Sequence, residues 1–260
     1  MNTRTRRRRN KYDNDYDGRP MTDEMDRGWM PSSLRRRGGY RELMDKSQLF
    51  VKQGLEVFEA MTGFETENSY TIHDHNGEAL FRIGEKSGMC ARQCCGNKRP
   101  FTLHIDSVRE GGRFLVVKRP FRFYFHELQI YEGDGGPLLG SVVRDFSFLQ
   151  RNYTIYDADR NPLLRIEGPV FSPWTFNILN NNGAQIGQIK KQWSGLMQEI
   201  FTDADNFGVQ FPRNLPPTTK ALLLSAVILI DFMYFEDNEP VKKKNNKRGG
   251  LRNAYDWMFT

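Results

Sequence analysis

The side chains with the most chemistry to offer are three cysteines and four histidines. Cys90, Cys94 and Cys95 fall within six residues of one another, whereas His73, His75, His104 and His126 are scattered. A structural zinc site takes four ligands at characteristic spacing, and the C-x₃-C-C run has no second His or Cys pair beside it. Three such close cysteines cannot frame a disulfide scaffold either. Two uses remain: S-acylation of Cys94 and Cys95, which would add a lipid anchor, or free structural thiols. No glycine loop for nucleotides, Ser/His/Asp arrangement or pair of catalytic carboxylates can be made out, so the reading is a protein without covalent catalysis.

Charge is concentrated at the two ends. The chain has 260 residues and a formal charge of +6, but residues 1–40 alone hold eleven Lys/Arg against six Asp/Glu, and residues 238–260 hold six against two. Basic ends attract anionic lipid or nucleic acid, or simply keep a protein in solution. Residues 1–44 mix charge, Gly and Pro without a helical or strand period and are expected to be a disordered basic tail, with residues 238–260 a second one. The N-terminal stretch has no apolar signal region. Its Arg run is followed by Asp13, Asp15, Asp17, Asp23 and Glu24, unlike a transit peptide. A cytosolic-side protein is expected.

Something must position these groups, and the organising stretch is Ala221 to Phe235, ALLLSAVILIDFMYF. As a helix, fifteen residues span roughly 22 Å against about 30 Å of hydrocarbon in a bilayer. The stretch reads as a core helix over about 219–235, and its apolar character on every side demands a wrapping. The preceding chain supplies one. YTIHDHNGEALFRI from Tyr70 has two alternating runs about Asn76-Gly77, a β-hairpin signal, and it returns as YTIYDADRNPLLRIEG from Tyr153, in register at an offset of 83. RPFTLHI and SPWTFNI continue the repeat at an offset of 73, so the first half carries a ten-residue insertion holding all three cysteines. LFVKQGLEVFEA, near residue 49, fits both helical and alternating periods. About a dozen short strands in two repeated halves predict a mainly β fold over 45–237: an antiparallel barrel closed or nearly so, with the C-terminal helix inside.

Further motifs carry a family likeness: Cys94-Cys95-Gly96 with Arg99-Pro100-Phe101-Thr102, Gly168-Pro169, FTDADNFG from Phe201, Gln210-Phe211-Pro212, and Ile230-Asp231-Phe232-Met233 before Phe235-Glu236. The chain resembles the phospholipid scramblase family of the tubby-like superfamily over roughly residues 45–237. That resemblance implies a twelve-stranded barrel around a hydrophobic helix, which some descriptions of the family treat as a membrane anchor. It also implies ATP-independent, calcium-triggered movement of phospholipids between bilayer leaflets. The implied setting is the cytoplasmic face of the plasma membrane, with the nucleus or mitochondrion as further locations. The alternative is a tubby-like binding module that holds anionic lipid or nucleic acid through its basic tails and moves no lipid.

The resemblance also places a calcium segment on Asp203 to Asn214, a twelve-residue loop similar to an EF-hand. Asp203 and Asp205 take the first and third positions, Val209 would offer its carbonyl at the seventh, and Asn214 replaces the bidentate acid at the twelfth. With Phe207 and Phe211 contributing no side-chain oxygen, the expected Ca²⁺ affinity is weak, on the order of 10⁻⁴–10⁻³ M. A polar turn leading to the final helix is the other reading of the same residues. A nuclear-import segment of the family resembles Gly187-Gln188-Ile189-Lys190-Lys191-Gln192-Trp193, with only two adjacent lysines to support it. Family members often carry cysteines after the RP motif, whereas here RPFRFYFHELQ has none. Its aromatic residues Phe121, Phe123, Tyr124 and Phe125 suit either a bilayer interface or a core-facing strand.

Overall fold

The computed structural model describes residues 38–53, 69–86, 100–121, 126–147, 150–169, 171–172, 174–191 and 206–234. A short helix α1 (Gly38–Met44) leads into strands β1 (Gln48–Gln53), β2 (Ser69–His73), β3 (Ala79–Lys86), β4 (Phe101–Ser107), β5 (Arg113–Arg119) and β6 (Glu127–Glu132). Strands β7 (Leu138–Arg144), β8 (Arg151–Asp157), β9 (Pro162–Gly168), β10 (Thr175–Leu179), β11 (Gln185–Lys191) and β12 (Asn206–Gln210) follow, and helix α2 (Pro217–Tyr234) comes last. Every strand pairs antiparallel with its neighbours in sequence, and β1 closes the barrel against β12. The described part of the ambiguous run near residue 49, as far as Gln53, is therefore a strand. Pairing on both edges decides what its period alone left open.

The internal repeat is a repeat in space. Tyr70 faces Ile83 as Tyr153 faces Ile166, and a bulge follows Ile72 in one hairpin and Ile155 in the other. The turns match too. The Asp74 side chain accepts from the Asn76 and Glu78 N–H groups, and Asp157 accepts from those of Asp159 and Asn161. Gly77 sits at φ 81° in the first turn, and its counterpart in the second is Arg160 at φ 64°. The equivalence continues around the wall: Val51 lies between Ile72 and Phe207, as Val142 lies between Ile155 and Leu128. Strands β1–β6 and β7–β12 are thus two copies of one six-stranded unit.

Helix α2 fills the barrel. Pro217 opens it, at a position where a missing N–H is harmless, and every residue from Lys220 to Asp231 is buried. Leu222, Leu223, Leu224, Val227, Ile228, Leu229 and Ile230 are at most 2% exposed, and each such side chain gains about 1.5–3 kcal/mol from leaving water. Its polar groups are satisfied: the Ser225 hydroxyl donates to the Ala221 carbonyl at 3.1 Å, and the Tyr70 hydroxyl donates to Asp231 Oδ2 at 2.9 Å. Among the described residues no helix is long and apolar enough to cross a membrane.

The fold begins earlier than residue 45. Tyr40 and Leu43 of α1 are fully buried, with the Tyr40 ring edge-on to Phe114 at 4.9 Å. The pattern GGYRELM offers only those two large apolar anchors before Met44, too few to announce an ordered helix. A distant residue ties α1 down: the Lys220 ammonium donates to the carbonyls of Leu43 and Met44 at 2.9 Å and of Lys46 and Arg213 at 2.7 Å. A cation at a helix C-terminus also suits the helix dipole. The tail expected over 1–44 thus ends before Gly38, where the described residues begin.

Candidate functional site

Up-and-down connectivity sorts the connections onto two ends of the barrel. At the α1 end lie the short polar turns DHNGE, VREGG, GDGGP, ADRN and NNNGA, at residues 74–78, 108–112, 133–137, 158–161 and 180–184. The other end, called here the far end, carries the connections β5–β6, β7–β8 and β9–β10, and α2 runs toward it. Phe232 near the end of α2 meets Phe101 at 4.7 Å, and Phe101 pairs with Arg119 at the end of β5.

The titration shifts gather at the α1 end. Burial would raise the Asp74 carboxyl, but the Lys46 ammonium at 2.7 Å and the Asn76 and Glu78 amides outweigh it and hold it below the usual value. Burial pushes Glu42 up, against a 2.6 Å hydrogen bond from the Ser107 hydroxyl. Burial likewise lowers the neighbouring His73. These groups hold α1 and the first turn in place.

The inner wall of the far end carries four cations together with the buried Glu85 of β3. Side chains alternate along a strand, and Arg119, Arg144, Arg151 and Lys191 share the inward parity of Val117, Val142, Tyr153 and Ile189, all fully buried. Arg119 and Arg151 are themselves buried. The Arg119 guanidinium lies 4.7 Å from the Phe232 ring centroid and 2.5 Å from His126 Nδ1. Arg151 stacks on Phe176 at 4.6 Å and donates to the Pro169 and Ser172 carbonyls at 3.1 Å, pinning the β9–β10 connection. Lys191, partly exposed, stands 5.8 Å from the Trp174 ring and 5.6 Å from Phe207. The sequence marked Lys191 only as part of an import-like segment, and the three arginines not at all. The available signal was the inward position nearest the far end on four strands, the last residue of β5, β7 and β11 and the first of β8, legible only once the register is known.

The twelve-residue calcium segment is described only from Asn206 onward. Its fourth to eighth positions, Asn206–Gln210, are β12, hydrogen-bonded on both sides. An EF-hand loop must curl around its ion, whereas five extended residues separate what precedes and follows them by more than about 13 Å. Val209 is buried between Leu49 and Ile189 in the sheet, so its carbonyl lies in the hydrogen-bonding plane, and Asn214 sits in the turn before α2 at the α1 end. Asp203 and Asp205 lie outside the described residues. Among the described residues no three His, Cys, Asp or Glu side chains are grouped to hold a metal.

The import-like segment is structural where it is described. Ile189 is fully buried, and Gly187, Lys190 and Lys191 belong to β11, paired with β10 and β12. A Cβ on Gly187 would meet the Gln210 carbonyl oxygen at 2.2 Å, so glycine answers a close approach of strands. A receptor taking this stretch as an extended peptide would have to pull β11 from the wall. Trp193, Cys94 and Cys95 lie outside the described residues.

Fold and far end together define a closed barrel with a helix-filled interior and an end that carries inner cations and exposed aromatic rings. The sequence profile of the Scramblase family matches residues 33–237. Human phospholipid scramblase 1 is 34% identical over 234 residues, covering 84% of this chain and 73% of its own. Bovine phospholipid scramblase 2 is 35% identical over 225 residues, covering 80% and 76%, and human phospholipid scramblase family member 5 is 31% identical over 211 residues, covering 76% and 77%. The X-ray structure of an Arabidopsis thaliana protein aligns with a TM-score of 0.44 at 12% identity, over 72% of this chain and 93% of that one. The chain belongs to the scramblase family.

Proposed function

We propose that this protein moves phospholipids between the leaflets of a bilayer, without ATP and in response to calcium, from the cytoplasmic face of the plasma membrane. The observation that carries the reading is its 34–35% identity, over most of its length, to relatives named phospholipid scramblases. Because α2 fills the barrel, lipid headgroups have no lumen to pass through, and their path runs along the outside of the protein. The calcium response rests on Asp203 and Asp205, without Val209 or Asn214. Acylation of Cys94 and Cys95 would strengthen attachment to the membrane.

The filled interior also favours a second reading, a module that holds anionic lipid or nucleic acid through its basic ends and moves nothing. One experiment separates the two. Purified full-length chain is reconstituted into vesicles containing labelled phospholipid, without ATP, and leaflet exchange is followed with and without calcium. Exchange accelerated by calcium is the expected result. Vesicle binding without exchange selects the second reading. In a parallel calorimetric titration, identical calcium isotherms for the wild type and Asp203→Ala would remove the calcium role from this chain.

A further inference from the structure

Phe121, Phe146, Phe171 and Trp174 are the large apolar side chains exposed among the described residues, at 46%, 76%, 98% and 48%. They sit on three connections, β5–β6, β7–β8 and β9–β10, and all three lie at the far end. The α1 end shows nothing comparable: no large apolar side chain is exposed on its turns, which are rich in Gly, Asn and charged residues. Singly exposed apolar residues are ordinary, but four large ones gathered at one end mark an interaction surface.

The exposure is held in place. Buried Arg151 grips the carbonyls on either side of Phe171, at Pro169 and Ser172, and so presents an almost fully exposed ring on a fastened segment. Asp145, next to Phe146, is anchored by its N–H to the Asn152 carbonyl at 2.9 Å and by the Thr154 hydroxyl to its carboxylate. Arg144 and Lys191 bring positive charge to the same end. Aromatic rings beside cations match the boundary of an anionic bilayer, where rings settle at headgroup depth and cations meet phosphate.

We infer that the protein docks end-on to anionic phospholipid membranes, inserting Phe146, Phe171, Trp174 and Phe121 at the headgroup boundary while α2 stays inside the barrel. The choice of lipid over protein as occupant rests on the phospholipid reading above. The orientation and the anchoring residues are new to it, and they require no transport. The end-on pose leaves the α1 end in water.

The test is sedimentation of the full-length chain with vesicles of phosphatidylcholine alone or mixed with phosphatidylserine, with calcium chelated and at near-physiological salt. The variants are Phe146→Ser with Phe171→Ser and, as a control at the α1 end, Arg109→Glu, whose side chain is 68% exposed. The double variant is expected to bind phosphatidylserine vesicles about tenfold more weakly or worse, with unchanged thermal melting, since two rings leave the interface. The control should bind within about twofold of wild type, because it stands away from the membrane. Wild-type binding by the double variant overturns the inference and assigns attachment to other parts of the chain. If the same variant instead converts a wild-type dimer to monomer with vesicle binding unchanged, the face joins copies of the chain and the inference also fails. A wild type that binds through this end yet exchanges no lipid overturns the transport reading alone.

Discussion

Replacing Lys220 with Met tests whether a buried ammonium, rather than apolar packing alone, attaches α1 to the barrel. The alkyl stem is retained and the charge removed. Four carbonyls, of Leu43, Met44, Lys46 and Arg213, lie 2.7–2.9 Å from Nζ, and an ammonium has three protons to share among them. Charge-assisted hydrogen bonds contribute about 1.5–3 kcal/mol each, giving a gross loss of roughly 4.5–9 kcal/mol. Part of this returns because the variant no longer strips an ammonium of its water. A net destabilisation of about 3–5 kcal/mol is expected, concentrated at α1. Urea unfolding followed by circular dichroism gives the total. Tryptic cleavage after exposed Arg41 reports the local part, since a released α1 opens that bond to the protease. A Lys220→Met protein within about 1 kcal/mol of wild type, with no faster cleavage at Arg41, would refute the argument that this ammonium holds the helix.

The Asp74 carboxyl, with its lowered pKa, contributes stability that is present above its unfolded value near 3.8 and is lost as pH falls through the lower folded value. Asp74→Ala should therefore cost about 2–3 kcal/mol at pH 7, and urea midpoints of variant and wild type should converge as pH drops below 3.8. Glu42 has the opposite sign: its raised pKa penalises the folded state as pH rises through that value. Glu42→Gln should stabilise the protein by up to about 1 kcal/mol at pH 7 and lose that advantage in acid, as a pair of melts would show. Gly187→Ala drives a methyl group to 2.2 Å from the Gln210 carbonyl oxygen. Since both partners are backbone, β11 and β12 must part at an expected cost of about 2–4 kcal/mol, measured by the denaturation midpoint.

Much of the barrel was legible because its hairpins are local. The Asn76-Gly77 turn and the run from Tyr70 to Ile83 carry their register in the alternation itself, and the copy at Tyr153 repeats it residue for residue. The burial of Ala221 to Phe232 followed from an apolar run too short to span comfortably and apolar on all sides. Helix α1 was not legible, because what holds it is a lysine 176 residues from Met44 along the chain. The part of the twelve-residue segment that is described, Asn206–Gln210, is a different case. Ligand spacing reads the same whether the chain curls or extends, and pairing with β1 and β11 decided for extension. The inner arginines of the far end had no signal of their own, because single arginines at strand ends have no pattern until the strand registers bring them together.

The seam between β1 and β12 has a consequence for how the protein is made. Its two halves are separated by more than 150 residues of chain, and α2, the material of the core, is synthesised after the last piece of wall. At about 5–20 residues per second, roughly ten to forty seconds pass between the appearance of Gln48 and that of Tyr234. Throughout that interval the inner faces of the hairpins have no helix to pack on and the ring has no strand with which to close. The nascent chain must therefore carry its apolar lining open to its surroundings, and closure of the barrel waits until β12 and α2 have both emerged.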